Sequence, residues 1–146
     1  MTVQVEVLDK VTGDVVEAFR RLIPQLSRSA GPPTQESLEA VAGCPANTVL
    51  LARSSGTITG TMTLVMFPIP TGVRAWIEDV VVDESARGQG TAEAMMRESL
   101  RIAREAGART VDLTSRPDRA AAGRLYERLG FVIRESRLYR YTSADH

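Results

Sequence analysis

The stretch from Trp76 to Met96 constrains the fold more than any other part of the chain. Residues 76–82, Trp-Ile-Glu-Asp-Val-Val-Val, carry the β-branched run of a strand, and the polar residues that follow include Gly88 and Gly90. From Thr91 the apolar residues fall at helical spacing, so the order is strand, glycine-freed turn, amphipathic helix. A phosphate belongs at that junction. The first turn of a helix leaves N–H groups without intrahelical partners, the macrodipole adds partial positive charge, and the glycines let another molecule approach the backbone. Arg87 adds a full charge beside the anion.

Two familiar nucleotide loops do not match. The dinucleotide fingerprint needs a third glycine, whereas Gly88-Gln89-Gly90-Thr91-Ala92 is followed by Glu93; the ATP-type loop needs Gly-Lys-Ser/Thr. What remains is Arg87-x-x-Gly90-x-Ala92 after a valine-rich strand, which resembles the acyl-CoA pyrophosphate loop of the GNAT N-acetyltransferase superfamily. The alternative for these six residues is a structural turn with a surface arginine. A second stretch, Ala122-Gly-Arg-Leu125-Tyr126-Glu-Arg-Leu129-Gly130-Phe131, resembles the Ala-x-x-x-Tyr-x-x-x-Gly-Phe signature that closes the same family's cofactor site. The two motifs stand in the family's order and spacing, and with the strand pattern the resemblance covers nearly the whole chain.

A length of 146 residues predicts one domain, 1–146, large enough to bury roughly two-thirds of its unfolded surface. Acidic and basic residues balance at 18 each, which argues against a general nucleic-acid or membrane-surface binder. The single cysteine, Cys44, excludes an internal disulfide framework. It lies in a Gly43-Cys44-Pro45 turn, and His146 is its one conceivable partner, so neither a Cys/His nucleophile nor a metal site is expected. No apolar run approaches a membrane span, and the N-terminus alternates like a strand instead of reading as a signal peptide. A cytoplasmic protein is expected.

Taken in order, Thr2–Leu8 alternates Val3, Val5 and Val7 with polar residues, as a half-exposed strand does. Gly13 breaks it and Asp14 is the expected cap of a helix whose apolar face carries Val15, Val16, Phe19, Leu22, Ile23 and Leu26, with Glu17, Arg20 and Arg21 opposite. Gly31-Pro32-Pro33 follows as a stiff break, and Thr34 is positioned to cap a short helix with Leu38 and Val41. Asn47–Arg53 and Thr57–Phe67 form a hairpin around Ser54-Ser55-Gly56. In its second strand Ile58, Met62, Leu64 and Met66 are expected on one face with Gly60. Thr57, Thr59, Thr61 and Thr63 then form a partly wet row on the other.

Beyond the central strand, a helix over Thr91–Ala106 buries Ala92, Met95, Met96, Ser99, Ile102, Ala103 and Ala106, and Gly107 stops it. Arg109–Thr114 reads as a strand, Asp118 as the cap of the tyrosine helix, and Gly130 as that helix's end. Phe131–Ile133 with Arg137–Tyr141 read as a closing hairpin. The result is an α+β order, β-α-α-β-β-β-α-β-α-β-β, with about four helices. It matches the mixed, strongly twisted sheet of the family.

Further expectations come from the resemblance. The family's sheet splays between its fourth and fifth strands, here Ala75–Val82 and Arg109–Thr114, and pantetheine fills the gap. Val80, Val81 and Val82 would bond that arm, and the pyrophosphate would lie over Arg87, Gly88, Gln89, Gly90, Thr91 and Ala92. The first two helices and residues 25–36 would wall the acceptor pocket, where Arg28 is the one charge that declares itself. The tyrosine of the second motif would point its hydroxyl at the coenzyme's sulfur, making Tyr126 the acid for the leaving thiolate; as a plain core aromatic it would instead pack beside Ala122 and Leu129. Where the family often carries an asparagine, seven residues before the tyrosine, this chain has Arg119, and Ser115 or Arg119 would share that contact to the coenzyme.

A primary amine near pKa 10.4 is protonated at neutral pH, so acetyl transfer to it needs a base. Glu78 and Asp79 precede the valines, and their strand resembles that of amino-sugar-phosphate acetyltransferases, whose carboxylates face the amine. Strand neighbours point to opposite faces unless a bulge intervenes. Glu78 is the favoured catalytic and substrate-binding residue, with Asp79 beside it; the alternative is that a carboxylate pairs with Arg74 or Arg109. A backbone N–H at the strand's bulge, that of Val80 or Val81, would stabilise the developing oxyanion. The expected activity is acetyl-CoA-dependent N-acetylation of a small-molecule primary amine in a ternary complex, with no metal and with room for a homodimer. Its rivals are a protein or peptide N-acetyltransferase and a catalytically silent acyl-CoA-binding module.

Overall fold

The computed structural model describes residues 2–143. The chain packs into two compact units, one ending at Thr114 and one beginning at Ser115. The first is built on a five-stranded sheet with spatial order β1-β2-β3-β4-β5. Its strands are β1 (Val3–Val7), β2 (Asn47–Ser54), β3 (Thr57–Ile69), β4 (Gly72–Val82) and β5 (Thr110–Asp112), and its helices are α1 (Gly13–Leu26), α2 (Gln35–Gly43) and α3 (Thr91–Glu105). The first four strands are antiparallel neighbours, and β5 joins β4 in parallel. The expected α+β order is thereby obtained as far as the fourth helix.

Each face of the sheet holds its own core. On one, α1 and α2 bring Val15, Ala18, Phe19, Leu22 and Leu38 against Val49, Leu51, Ile58 and Val81. On the other, Leu50, Met62, Leu64, Ala75 and Ile77 are buried beneath α3, which contributes Met95, Met96, Ser99 and Ala103. Each of the larger side chains, once removed from water, contributes about 1.5–3 kcal/mol. Gly60 brings α3 close to the sheet: a Cβ there would stand 3.0 Å from the Met95 methyl, 3.1 Å from the Thr91 methyl and 3.3 Å from the Val81 carbonyl.

Several expectations shift in detail. The N-cap of α1 is Thr12, whose hydroxyl bonds the Asp14 carboxylate, so Asp14 sits in the first turn and is not the cap. Thr34 does cap α2, in a reciprocal capping box with Ser37, although Val41 is exposed there. A register shift opposite Ala52/Arg53 leaves Thr59 as an extra residue on β3, and this moves Ile58 to the α1 face, away from Met62 and Leu64. The threonine row is drier than expected. Thr59 and Thr61 are buried, and the Thr61 hydroxyl donates to the Leu50 carbonyl at 2.9 Å.

The second unit contains α4 (Ala120–Arg128), whose N-cap is Arg119 and not Asp118. Its C-terminus closes as a Schellman motif: Gly130, at φ 101°, donates to Glu127 O at 3.0 Å, and Phe131 donates to Tyr126 O at 2.9 Å. The end of α3 repeats the device with Gly107 and Ala108. The expected closing hairpin is not formed. Phe131–Ile133 and Arg137–Tyr141 have no regular structure, and Val132, Ile133, Tyr139 and Tyr141 are largely exposed. β-Branched and aromatic residues favour a strand only where a partner surface covers them, and two strands alone are marginal.

Candidate active site

β4 changes character part-way along. It pairs with β5 at only three positions, Arg74↔Thr110, Ala75↔Val111 and Trp76↔Asp112, and then continues to Val82 with β3 alone. Alternate N–H and C=O groups of residues 77–82 therefore face an open edge. This is the splay expected between the fourth and fifth strands, with β5 shorter than expected. Its base is fastened by guanidinium groups: Arg74 donates to the hydroxyls of Thr110 and Thr71 at 3.2 and 3.0 Å, and Arg109 donates to the Thr71 carbonyl at 2.6 Å.

Above the base lies a bulge. Thr61 faces Val81 and Thr63 faces Glu78, so Met62 stands opposite both Asp79 and Val80. Asp79 has φ 53°, the left-handed region in which a β-bulge usually places glycine. One extra residue reverses the alternation beyond it, and the burial follows: Ala75 and Ile77 pack on the α3 face, whereas Val81 joins the α1 core. Glu78 shares its face with Thr63 and hence with Val49, the side on which α1 and α2 pack. Both carboxylates, Glu78 and Asp79, are exposed. Neither pairs with Arg74 or Arg109, and among the described residues neither has an ion-pair partner. The strain at Asp79 is the sort that persists at functional sites.

Beyond Val82 the chain turns through a short 3-10 segment, Glu84–Ala86, into the glycine loop. Asp83 holds this turn. Its carboxylate accepts from the Ser85 N–H at 3.1 Å, from the Ser85 hydroxyl and from Arg21. These contacts, the Ser85 N–H first, hold the Asp83 carboxyl below the usual range although its burial opposes them. Gly88 and Gly90 take φ of 81° and 79°, and a Cβ on either would meet open space. Gly90 is the N-cap of α3 and offers no side chain to cap the first turn. The Thr91 hydroxyl and the Gln89 side-chain carbonyl are buried without a partner. Exposed Arg87, an uncapped helix start and an open glycine cradle together fit an anion of pyrophosphate size.

In the second unit, Tyr126 packs edge-on against Phe131, with ring centroids 5.9 Å apart and planes at 63°. The Schellman turn explains that contact, since it folds Phe131 back over the last turn of α4. Burial raises the Tyr126 hydroxyl above the usual tyrosine range and outweighs the opposing charge of Arg119. Ser115 and Arg119 are exposed. Arg21 and Gln25, which touch the glycine-loop turn from α1, were not singled out by the sequence, which placed Arg21 on the solvent face.

The sequence from residue 16 to 131 matches the acetyltransferase (GNAT) family. The chain belongs to the GNAT family. Members of that family are N-acetyltransferases, and acetyl-CoA is the acyl donor they use. N-alpha-acetyltransferase 30 of Schizosaccharomyces pombe is 39% identical over 71 residues, 49% of this chain and 47% of that protein. The chain thus matches over about half the length of that curated relative. A Trypanosoma brucei acetyltransferase structure superposes with TM-score 0.78 at 25% identity, covering 97% of this chain and 100% of that one. Glucosamine-6-phosphate N-acetyltransferase from Arabidopsis thaliana shares the GNAT fold with TM-score 0.82 at 20% identity, over 98% and 100% of the two chains. Among the described residues no helix is long and apolar enough to cross a membrane.

Proposed function

We propose that this GNAT enzyme acetylates a primary amine of a small molecule by direct attack in a ternary complex, and that its two compact units form one domain, since the family match runs through both. The observation that carries the reading is exposed Glu78 on the α1/α2 face, in the part of β4 that β5 leaves unpaired and beside the bulge at Asp79. Acetyl-CoA supplies the thioester carbonyl. Val80, Val81 and Val82 offer backbone groups to its amide arm, and Arg87, Gly88, Gln89, Gly90, Thr91 and Ala92 hold its phosphates. Ser115 and Arg119 add to coenzyme binding.

Glu78 takes a proton from the ammonium form of the acceptor, directly or through water, and frees the lone pair. A fixed N–H of Val80 or Val81 stabilises the charge that builds on the carbonyl oxygen. Tyr126, kept protonated by burial, returns a proton to the departing sulfur. Glu78 and Asp79 together favour a polycationic or amino-sugar acceptor, because two unpaired carboxylates attract an ammonium group. Exposed Cys44, a free thiol, accords with a cytoplasmic setting, and a homodimer belongs to the same reading.

The N-alpha-acetyltransferase relative favours a second reading, in which the acceptor is the α-amine of a peptide. Thiol release from acetyl-CoA, measured over a panel of polyamines, amino sugars, aminoalkylphosphonates and short peptides, separates the two. The small-molecule reading expects turnover on a free amine that Glu78→Gln and Tyr126→Phe each depress. Turnover confined to peptides establishes the second reading, and coenzyme binding without turnover on any amine points to a silent acyl-CoA-binding module.

A further inference from the structure

Helix α1 reaches the coenzyme loop with two side chains one turn apart. Arg21 donates through Nη1 to Asp83 Oδ2 at 2.5 Å and through Nη2 to the Ile58 carbonyl at 3.1 Å, so its fork spans β3 and the end of β4. Asp83, its side chain only 13% exposed, passes the constraint on by capping the 3-10 turn at Ser85. Gln25 makes the second contact: its Oε1 accepts from the Glu84 N–H at 3.0 Å. The orientation of that amide is settled by its own surroundings, because its Nε2 donates to the Arg21 carbonyl at 3.2 Å. Spacing of i and i+4 sets both side chains on one helix face.

We infer that Arg21 and Gln25 are positioning residues for the acetyl-CoA loop, a role that rests on the acetyltransferase reading above. The loop needs such support. Gly88 and Gly90 give it positive-φ freedom, α3 begins without a capping side chain, and the turn Glu84–Ala86 is a single 3-10 segment. An untethered loop would lose conformational freedom on closing over an anion, and affinity would fall accordingly. With α1 fastened to residues 83 and 84, that freedom is already lost before coenzyme arrives. Helix α1, the expected acceptor wall, thus also sets the geometry of the donor site.

The test uses the full chain with Gln25→Ala and, as a variant that preserves charge, Arg21→Lys. Hydrogen exchange of residues 84–91 is followed without coenzyme, acetyl-CoA affinity by calorimetry, and KM and kcat in the thiol-release assay. Gln25→Ala is expected to quicken exchange in 84–91 by about fivefold and to raise the coenzyme Kd and KM about as much, the usual worth of one hydrogen bond, with kcat changed less than KM. Arg21→Lys, which keeps the charge and loses the fork, should do the same to a smaller degree. Unchanged loop exchange in both variants, or unchanged coenzyme affinity beside a lowered Tm, would overturn the inference and leave both residues purely structural. Should the unmodified chain fail to bind acetyl-CoA, loop exchange still decides the tether, and only the acetyltransferase reading falls.

Discussion

The two halves of β4 differ in composition and in the neighbours they bond: Gly-Val-Arg-Ala-Trp below, Ile-Glu-Asp-Val-Val-Val above. From Arg74 to Trp76 the strand is paired on both edges, to β3 and to β5, and its base is laced by Arg74 and Arg109. From Ile77 to Val82 it is bonded to β3 only, and a bulge turns its alternation over. Unpaired backbone next to a packed core costs stability unless something fills it, and a single β-bulge residue held at positive φ costs more. The lower half serves the fold. The upper half has an edge that β5, ending at Asp112, leaves without a strand partner, and the proposed function places the coenzyme's amide arm there.

That contrast predicts where substitutions act. Glu78→Gln, in the upper half, should lower kcat/KM about a hundredfold, the loss typical of a general base, with Tm unchanged. Arg74→Ala in the lower half removes two hydrogen bonds to threonine hydroxyls and should cost about 1 kcal/mol of stability in denaturant titration, with kcat little altered. If Arg74→Ala slowed turnover as severely as Glu78→Gln, the division between halves would not stand. Asp79→Gly should relieve the left-handed backbone and gain up to about 1 kcal/mol, whereas Asp79→Val should lose at least as much.

A smaller effect depends on pH. The folded state lowers the Asp83 carboxyl below its ordinary value, so its contribution is complete at neutral pH and down to the top of the ordinary carboxylate range. It is lost as pH falls further, through the lowered folded value. Acid unfolding of Asp83→Asn should therefore show a shallower loss of stability than that of the unmodified chain. An identical acid limb in both would deny Asp83 its anchoring role.

The strand–glycine–helix run at residues 76–96 was legible because strand period, positive-φ glycines and helix period are all local properties of sequence. Gly107 and Gly130 declared their helix ends for the same reason. The bulge in β4 was expected near Val80 or Val81 and falls at Asp79, whereas the one at Thr59 left no such trace: a sequence of alternating residues states the period and not where one residue is skipped. Ile58 was thereby assigned to the wrong face. Arg21 and Asp83, 62 residues apart, meet only when α1 lies on the sheet, so a helical wheel could show Arg21 merely as polar. Val132, Ile133, Tyr139 and Tyr141 read as strand residues by composition, yet composition cannot supply the neighbour a strand must bond. The motif at Tyr126 was legible, and its Schellman geometry gives the physical reason for its Gly-Phe ending.

The central claim is that the open edge of β4 is the seat of the coenzyme's amide arm. Amide hydrogen exchange resolved by residue, with and without saturating acetyl-CoA, tests it directly. Protection should rise at residues 77–82 and 88–92 and stay constant at 74–76, where β5 already occupies the edge. Equal protection along the whole of β4 with and without acetyl-CoA, or calorimetry that detects no binding, would contradict the account.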